Sequence, residues 1–458
     1  MDTDNFRDHI STVSDEGKRV WVHPHKPKGR YNTYRQIVAF ILISLMFGLP
    51  FVSVSGRPLF LFDIINRKFY LFGVGFWPQD FHIFLFMMIS LLLFIILFTV
   101  IFGRIWCGWA CPQTIFMEMV FRKIEYWIEG DARQQIKLNA EPNNPTKFFK
   151  KSLKHGIFII LSWMITNSLL AWIVGIDELF KIMTEPISEH TGGFVAMLFF
   201  TGFLYWVYAS FREQICTLVC PYGRLQGVLL DEKSILVHYD FLRGEPRTKK
   251  KTEGGDCIDC HHCVDVCPTG IDIRNGTQLE CINCTACMDA CDSIMTKIKK
   301  PTGLIRYASF NGIKNGVEKI FNARTIGYSA ILLILLSLVT FFLTTRQPIE
   351  ATILRTPGST FQKMADGQIS NLFNVQIANK TFDEVTPTIV LKNPSHGKIR
   401  TITSDMIVKP EGLLQTAFFV YLSPEKIQHV ATPLEFEVLV GEKLIQTVRS
   451  SFISPGIK

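Results

Sequence analysis

No cysteine lies beyond Cys291 in this 458-residue chain, and none of its twelve cysteines stands alone: each falls in a short, spaced motif. A Walker loop, a GxGxxG turn and a GxSxG elbow are all missing, which argues against a nucleotide-driven pump or a hydrolase. Nor is there a cleavable secretory signal. The first 36 residues are polar and basic, and the first apolar stretch is long enough to span a membrane rather than be removed. The N-terminus is therefore expected to stay in the cytoplasm. Two connections between apolar stretches are short of Lys and Arg, one holding Arg57, Arg67 and Lys68 and the other only Lys181.

What is abundant is apolar surface: 48% of residues are hydrophobic, and 38 are Phe. A bilayer core of about 30 Å needs about 20 apolar residues per helix. Five stretches qualify, roughly Ile37 to Ser55, Phe81 to Phe102, Gly156 to Gly175, Gly193 to Phe211, and Ile326 to Thr344. The net charge of +8 admits a nucleic-acid partner only until its placement is read. Seven Lys/Arg lie in the N-terminal segment, nine between Gly103 and His155, and sixteen between Arg212 and Thr325. This alternation with the two poor connections is the positive-inside pattern, so the charge reads as topology and membrane lipid, not nucleic acid, is the expected partner. Five spans then place the N-terminus inside and residues after about Arg346 outside, in a bacterial inner membrane. Aromatic pieces such as Phe69 to Trp77 are expected at the outer interface.

The expected domains are an N-terminal tail (1–36), a four-helix membrane domain (37–235), a cytoplasmic insert (236–325), a fifth membrane helix (326–345) and an outer domain (346–458). In the last, alternating runs at Asn374 to Ile377, Thr388 to Leu391, Ala417 to Leu422, Leu434 to Val440 and Leu444 to Val448 read as strands, with Gly441 and Glu442 as a tight hairpin turn. The pattern predicts an immunoglobulin-like β-sandwich without the Cys and Trp signature of antibody domains, serving as a docking module or a stabilising cap.

The membrane part repeats itself. Phe102, Cys107, Cys111 and Pro112 recur 109 residues later as Phe211, Cys216, Cys220 and Pro221, each set at the inner end of an outside-to-inside span. Copies in the same orientation are parallel hairpin repeats related by an axis along the membrane normal, which lets the two motifs face each other.

Two kinds of motif carry chemistry. Cys257, Cys260, Cys263 and Cys267, followed by Pro268, form CxxCxxCxxxCP, and Cys281, Cys284, Cys287 and Cys291 repeat the spacing. Such runs hold 4Fe-4S cubanes, with the fourth cysteine of each reaching across to the other cluster. Cys257, Cys260, Cys263 and Cys291 then bind one cluster, and Cys281, Cys284, Cys287 and Cys267 the second. A pair of zinc sites instead uses two CxxC pairs separated by longer loops. The second run ends in Asp292 rather than Pro. Clusters of this type exchange single electrons, so the insert predicts conduction between partners.

The two CxxxCP motifs are the other constellation. Residues four apart share a helix face about 5 to 6 Å apart, so each motif is expected to present two thiols side by side. Pro112 and Pro221 end that turn or start the next. Cys107, Cys111, Cys216 and Cys220 together suit copper(I), a further metal centre or redox chemistry, against the alternative of buried packing cysteines. A disulfide is disfavoured on the reducing side. His23 and His25 form an HxH in a basic stretch where an interfacial role outweighs metal binding. His261 and His262 fill spacers between cluster ligands and at most tune potential. Met117 and Met119 offer thioethers, with a lipid-facing or core role favoured. Arg104 and Arg212 sit at the inner boundary, where anchoring accounts for them.

On the segments IWCGWACPQTIFMEMVFRKIEY, CPYGRLQG and CINCTACMDACDSIM, with five spans, a dicluster ferredoxin insert and an outer β-domain, nearly the whole chain resembles the FixG/CcoG/RdxA family of cytochrome oxidase accessory proteins. The resemblance implies a role in maturing cbb3-type haem–copper oxidase by reduction of copper(II) to copper(I), with oxidase assembly factors and copper ions as partners. A quinol-dehydrogenase module feeding a periplasmic reductase, as in related polyferredoxins, is the second reading, and a non-redox assembly scaffold the third. The sequence names neither the electron donor nor the oligomeric state, a homodimer being one candidate.

Overall fold

The computed structural model describes residues 11–455 apart from positions 15, 55–56, 65–67, 73, 77–79, 249–253, 318–319, 359, 365–366, 382, 403–405, 411 and 428. It divides into two compact units, Met1–Val339 and Thr340–Lys458, described in turn.

Long apolar runs satisfy their own backbone only as helices once water is excluded. Five helices are long and apolar enough to cross a membrane: Arg30–Phe51, Phe81–Phe102, Pro145–Val174, Thr191–Phe211 and Ala323–Thr344. This is a multi-pass membrane protein. The third helix starts at Pro145, well before the apolar stretch expected from Gly156. Asn144 supplies the reason, because its side chain accepts the Lys147 N–H (2.6 Å) and Pro145 takes the first helical position. Ahead of the second span, strands Phe60–Asp63, Lys68–Leu71 and Val74–Phe76 pair antiparallel, and Phe60 and Phe62 pack on Trp172 of the third span. Of the residues expected at the outer interface here, Arg67 and Trp77 lie outside the described residues.

The N-terminal segment, read from sequence as a tail, runs as a strap across this unit. Ser11 Oγ donates to the Thr269 carbonyl (2.6 Å), Tyr126 Oη donates to the Pro24 carbonyl (3.0 Å), and the His25 N–H donates to the Asp265 carbonyl (2.8 Å). The strap ends where the first span begins, with the Tyr31 and Asn32 N–H groups held by Asp289. A carboxylate at a helix N-terminus satisfies donors that have no partner within the helix.

The cysteine-rich insert is closed at its base by strands Leu236–Tyr239 and Ile305–Ala308, paired antiparallel with Leu236 opposite Ala308. Its long helix, Ala286–Lys297, buries Met288 and Met295 against Val237, Tyr239, Leu304 and Ile305.

The second unit is built from two sheets. One has the order Lys398–Thr401, Leu413–Leu422, Ile369–Asn379, Ile349–Arg355, with Gln362–Lys363 added on Ile369–Asn379. The other runs Pro387–Asn393, Ala431–Val440, Lys443–Ile453. All five runs expected to be strands lie within strands. Val440 pairs with Lys443 across Gly441 (φ 60°) and Glu442, the two-residue turn expected there. Phe373, Phe418, Phe436 and Phe452 are fully buried in the core of this immunoglobulin-like unit. Each such ring contributes about 1.5–3 kcal/mol of burial.

Candidate functional site

The insert loops owe their shape to residues of positive φ on either side of each middle cysteine. Asp259 (φ 52°) and His261 (φ 56°) flank Cys260, and Asn283 (φ 52°) and Thr285 (φ 64°) flank Cys284. Asp and Asn tolerate this left-handed conformation best among non-glycine residues. Arg274, itself buried, locks the first loop by donating to Asp259 (2.6 Å) and Asp272 (2.6 and 2.8 Å) while its Nη2 meets His261 Nδ1 at 3.0 Å. The spacer histidine is thus held by the arginine.

The structure gathers the eight insert cysteines into two sets. Cys257, Cys260, Cys263 and Cys291 line one space with Tyr239, Leu304 and Ile305. Cys267, Cys281, Cys284 and Cys287 line another with Val237, Ile271 and Ile273, and Cys263 touches it from the side. None of the twelve cysteines is joined in a disulfide. A single tetrahedral ion with bonds of about 2.3 Å draws its thiols to within about 4 Å of one another. Among the described residues no three cysteine sulfurs come within 4.8 Å; the one trio of candidate ligands that does is Glu185, Glu189 and His190. Two largely apolar spaces, each lined by four thiols of the expected set, fit cubane clusters better than zinc. Cys260 alone of the eight is exposed.

The CxxxCP motifs differ from the helix-face picture. Cys107 lies in the short helix Ile105–Trp109, but Cys111 is extended (φ −63°, ψ 124°) and caps the next helix, which starts at Pro112. Cys216 lies in the π-helical turn Ile215–Val219, and Cys220 is extended in the same way (φ −63°, ψ 114°) ahead of Pro221. Proline disfavours a helical residue before it, so the second cysteine of each pair leaves the helix. The backbone of the two motifs matches further: the Cys111 N–H donates to Trp106 O (2.9 Å) as Cys220 does to Ile215 O (2.8 Å). Gly103 (φ 56°, ψ −127°) ends the second span as Arg212 (φ 52°, ψ −122°) ends the fourth. Burial pushes the Cys107 thiol up to about 11 and Cys216 up to about 12, with Cys111 and Cys220 adding to the effect at both. The four thiols are thus close enough to influence one another.

This quartet abuts the insert. Cys107 packs with Ile282 and Cys284 in one apolar cluster. A methyl at Gly108 would overlap the Ile282 carbonyl oxygen and lie 2.9 Å from the Asn283 carbonyl carbon. The Gly108 carbonyl accepts from Arg35 Nε (2.9 Å). Trp109 Nε1 donates to Tyr307 Oη (3.1 Å), which donates to Asn283 O (3.3 Å). Gln226 Nε2 approaches Cys107 Sγ at 3.4 Å.

Both boundary arginines are buried and do more than anchor. Arg104 donates to the carbonyls of Gly223 and Leu279, joining the two motifs and the insert. Arg212 grips Glu125 through both terminal nitrogens (3.1 and 2.7 Å). Around them Arg122 pairs with Glu118 (3.2 Å) and lies 3.6 Å from Glu213, Arg19 pairs with Glu213 (2.9 Å), and Lys154 pairs with Glu129 (3.0 Å). Burial alone would raise Glu125, but Arg212, Lys154 and Arg122 hold it below the usual carboxylate range. Sequence reasoning missed this network; the Glu118/Arg122 spacing of four was its one local signal. The remaining candidates are structural: Met117 and Met119 are buried in helix packing, His23 meets Gln135 (3.2 Å) and His25 meets Asp131 (2.8 Å).

Comparison with known proteins gives three family matches: a 4Fe-4S dicluster domain over residues 211–310, a 4Fe-4S binding domain over residues 84–130, and the IG-like fold at the C-terminal of FixG over residues 339–455. Protein RdxB of Cereibacter sphaeroides is 33% identical over 393 residues, 81% of this chain and 81% of its own. Protein RdxA of the same organism is 31% identical over 80% of this chain and 81% of its own. Nitrogen fixation protein FixG of Rhizobium meliloti is 32% identical over 64% and 58%. The crystal structure of a FixG-related protein from Vibrio parahaemolyticus covers 24% of this chain and 97% of its own at 19% identity, with a TM-score of 0.21.

Proposed function

The chain belongs to the family of FixG, RdxA and RdxB, iron–sulfur electron-transfer proteins of the membrane, and on that premise we propose that it delivers single electrons to the membrane thiol quartet to reduce copper(II) to copper(I) for maturation of a cbb3-type oxidase. The observation that carries this reading is the packing of Cys107 against the apolar cluster that includes Ile282 and Cys284, with Gly108 against the Ile282 and Asn283 carbonyls. A conductor whose near end touches a thiol site has somewhere to send its electrons.

In this reading Cys257, Cys260, Cys263 and Cys291 hold the distal cluster, and Cys267, Cys281, Cys284 and Cys287 the proximal one. When bound, the clusters supply one-electron exchange. The chain's own residues do the rest. The exposed Cys260 loop offers an entry face, and the left-handed residues beside Cys260 and Cys284 fix both loops. The Arg104 bridge holds the quartet against the proximal set. Copper(II) prefers nitrogen and oxygen ligands while thiolates favour copper(I), so thiol pairs at the quartet drive the ion toward its reduced form. The substrate gains one electron, and no covalent bond is made or broken. A further cluster at the quartet is the alternative occupant, favoured by the 4Fe-4S binding match over residues 84–130.

Two structural proposals accompany this. The two hairpins are parallel copies, supported by the matching backbone at Gly103 and Arg212 and at Cys111 and Cys220. The basic connections face the cytoplasm and the β-domain the periplasm, supported by the distribution of Lys and Arg; a periplasmic reporter after Lys458 should be active and one near Gly254 silent. Anaerobically purified protein, reduced chemically and given copper(II), should yield copper(I) captured by a specific chelator. Quinol oxidation remains the competing reading, supported by the cavity that Trp21, His23, Glu125, His155 and Arg212 line beside the span ends. Turnover of a quinol, with no copper reduction, would decide for it.

A further inference from the structure

A groove of about 650 Å³ opens between the strap, the segment around Tyr126 and Arg133, and the insert. Its rim carries Lys26, Lys28, Arg133 and Lys297, all exposed. Among the described residues none of these four side chains has an ion-pair partner. Lys123 adds to the crowding, its ammonium held below the usual range by burial and by Lys26 and Arg35. Two carboxylates line the groove, Asp131, already held by His25 (2.8 Å) and the Lys26 N–H (2.9 Å), and Asp265 at the floor edge. Four cations against two carboxylates leave the face net positive.

The floor distinguishes this groove from a patch that merely touches anionic lipid. It is made by Val266, Ala286 and Ala290, each buried and each followed directly by a proposed cluster ligand, Cys267, Cys287 and Cys291. Both ligand sets thus lie one residue below the same small, apolar surface. Phospholipid headgroups would be served by the cations alone.

We propose that this groove is the docking site of a small acidic one-electron carrier protein of the flavodoxin or ferredoxin class, which donates to the insert. Transient redox encounters bury little surface and are steered by opposite charge, which matches a cationic rim around a short apolar floor. The carrier loses one electron and the insert gains it; no bond changes and no proton moves. The inference rests on the electron-transfer reading and names its donor.

The test uses the full chain, loaded anaerobically, in nanodiscs of phosphatidylcholine. Binding of oxidised flavodoxin is measured by interferometry at low and high salt, and bleaching of the iron–sulfur absorbance is followed with reduced flavodoxin and separately with dithionite. Binding to the wild type should weaken with salt. Lys26→Glu, Arg133→Glu and Lys297→Glu together should weaken binding and slow bleaching by flavodoxin on the order of tenfold or more. Bleaching by dithionite and iron content should not change. A neutral series with Gln at the same positions should fall between, which separates charge from misfolding. Equal binding by wild type and variant overturns the proposal. So does a variant that loses only its retention of phosphatidylglycerol, since the groove would then be a lipid site. If dithionite bleaches the wild type and flavodoxin does not, docking fails while the electron-transfer reading stands; if dithionite does not bleach it, both fall.

Discussion

Gly108 and Ile282 meet backbone to backbone, with room between them for a hydrogen and nothing larger. One belongs to the first thiol motif and the other to the loop that carries Cys281 and Cys284, so this contact sets how closely the membrane site approaches the insert. Gly108→Ala should destabilise the protein by about 1–3 kcal/mol through overpacking. It should also slow copper reduction while the insert keeps its iron. Iron analysis beside reduction kinetics checks this, and unchanged kinetics would detach the contact from the electron path.

The two ligand sets make separable predictions. Cys260→Ser and Cys284→Ser should each remove one cluster, four iron atoms, together with its paramagnetic signal in the reduced state. Cys284→Ser, next to the quartet, should abolish copper reduction by protein that has been reduced chemically and then freed of excess reductant. Stoichiometric zinc without iron in anaerobically prepared protein would sink the assignment.

Groups that act as a unit are non-additive when removed. Cys111→Ser and Cys220→Ser should each cost nearly as much copper handling as the two together, with the insert spectroscopically intact. A double variant that handles copper like the wild type would reduce the four to packing residues.

Arg212 occupies the backbone conformation that Gly103 takes in the other motif, at a cost of about 1–3 kcal/mol for a non-glycine residue. Its grip on Glu125 keeps it there. Arg212→Gly relieves the backbone but removes the closest partner of a buried carboxylate, leaving it Lys154 at 3.7 Å and the nearby Arg122, so the variant should melt lower. Adding Glu125→Gln should recover much of the loss. Because Glu125 is held below its usual range, its contribution is present above about pH 4.3, the unfolded value, and is lost as pH falls through the lower native one. Thermal melts of wild type and Glu125→Gln should therefore converge on acidification; parallel curves would show that the pair does not titrate with folding.

Much of this was legible in the chain because the signals are local. Twenty-residue apolar runs and thiols two residues apart announce themselves, and the alternating runs of the β-domain fall inside the strands. Where reading failed, the cause was a rule outweighed or a distance too great. The cysteines of each CxxxCP were placed on one helix face, yet the proline after the second already forbids that. The third helix was started too late because its first turns are polar. The strand Ile349–Arg355, though it alternates, lies next to the fifth span and was not recognised. Arg212 and Glu125 are 87 residues apart, and nothing local couples them.

The strap across the insert carries a consequence for biosynthesis. Ser11 emerges from the ribosome early, but its partner Thr269 comes 258 residues later, about 13–50 s behind at ordinary bacterial rates of translation. The segment made first must wait for a neighbour that does not yet exist. The strap's other partners, Asp265 and Asp289, lie in the same insert, so the strap can close fully only as the second cysteine run is completed.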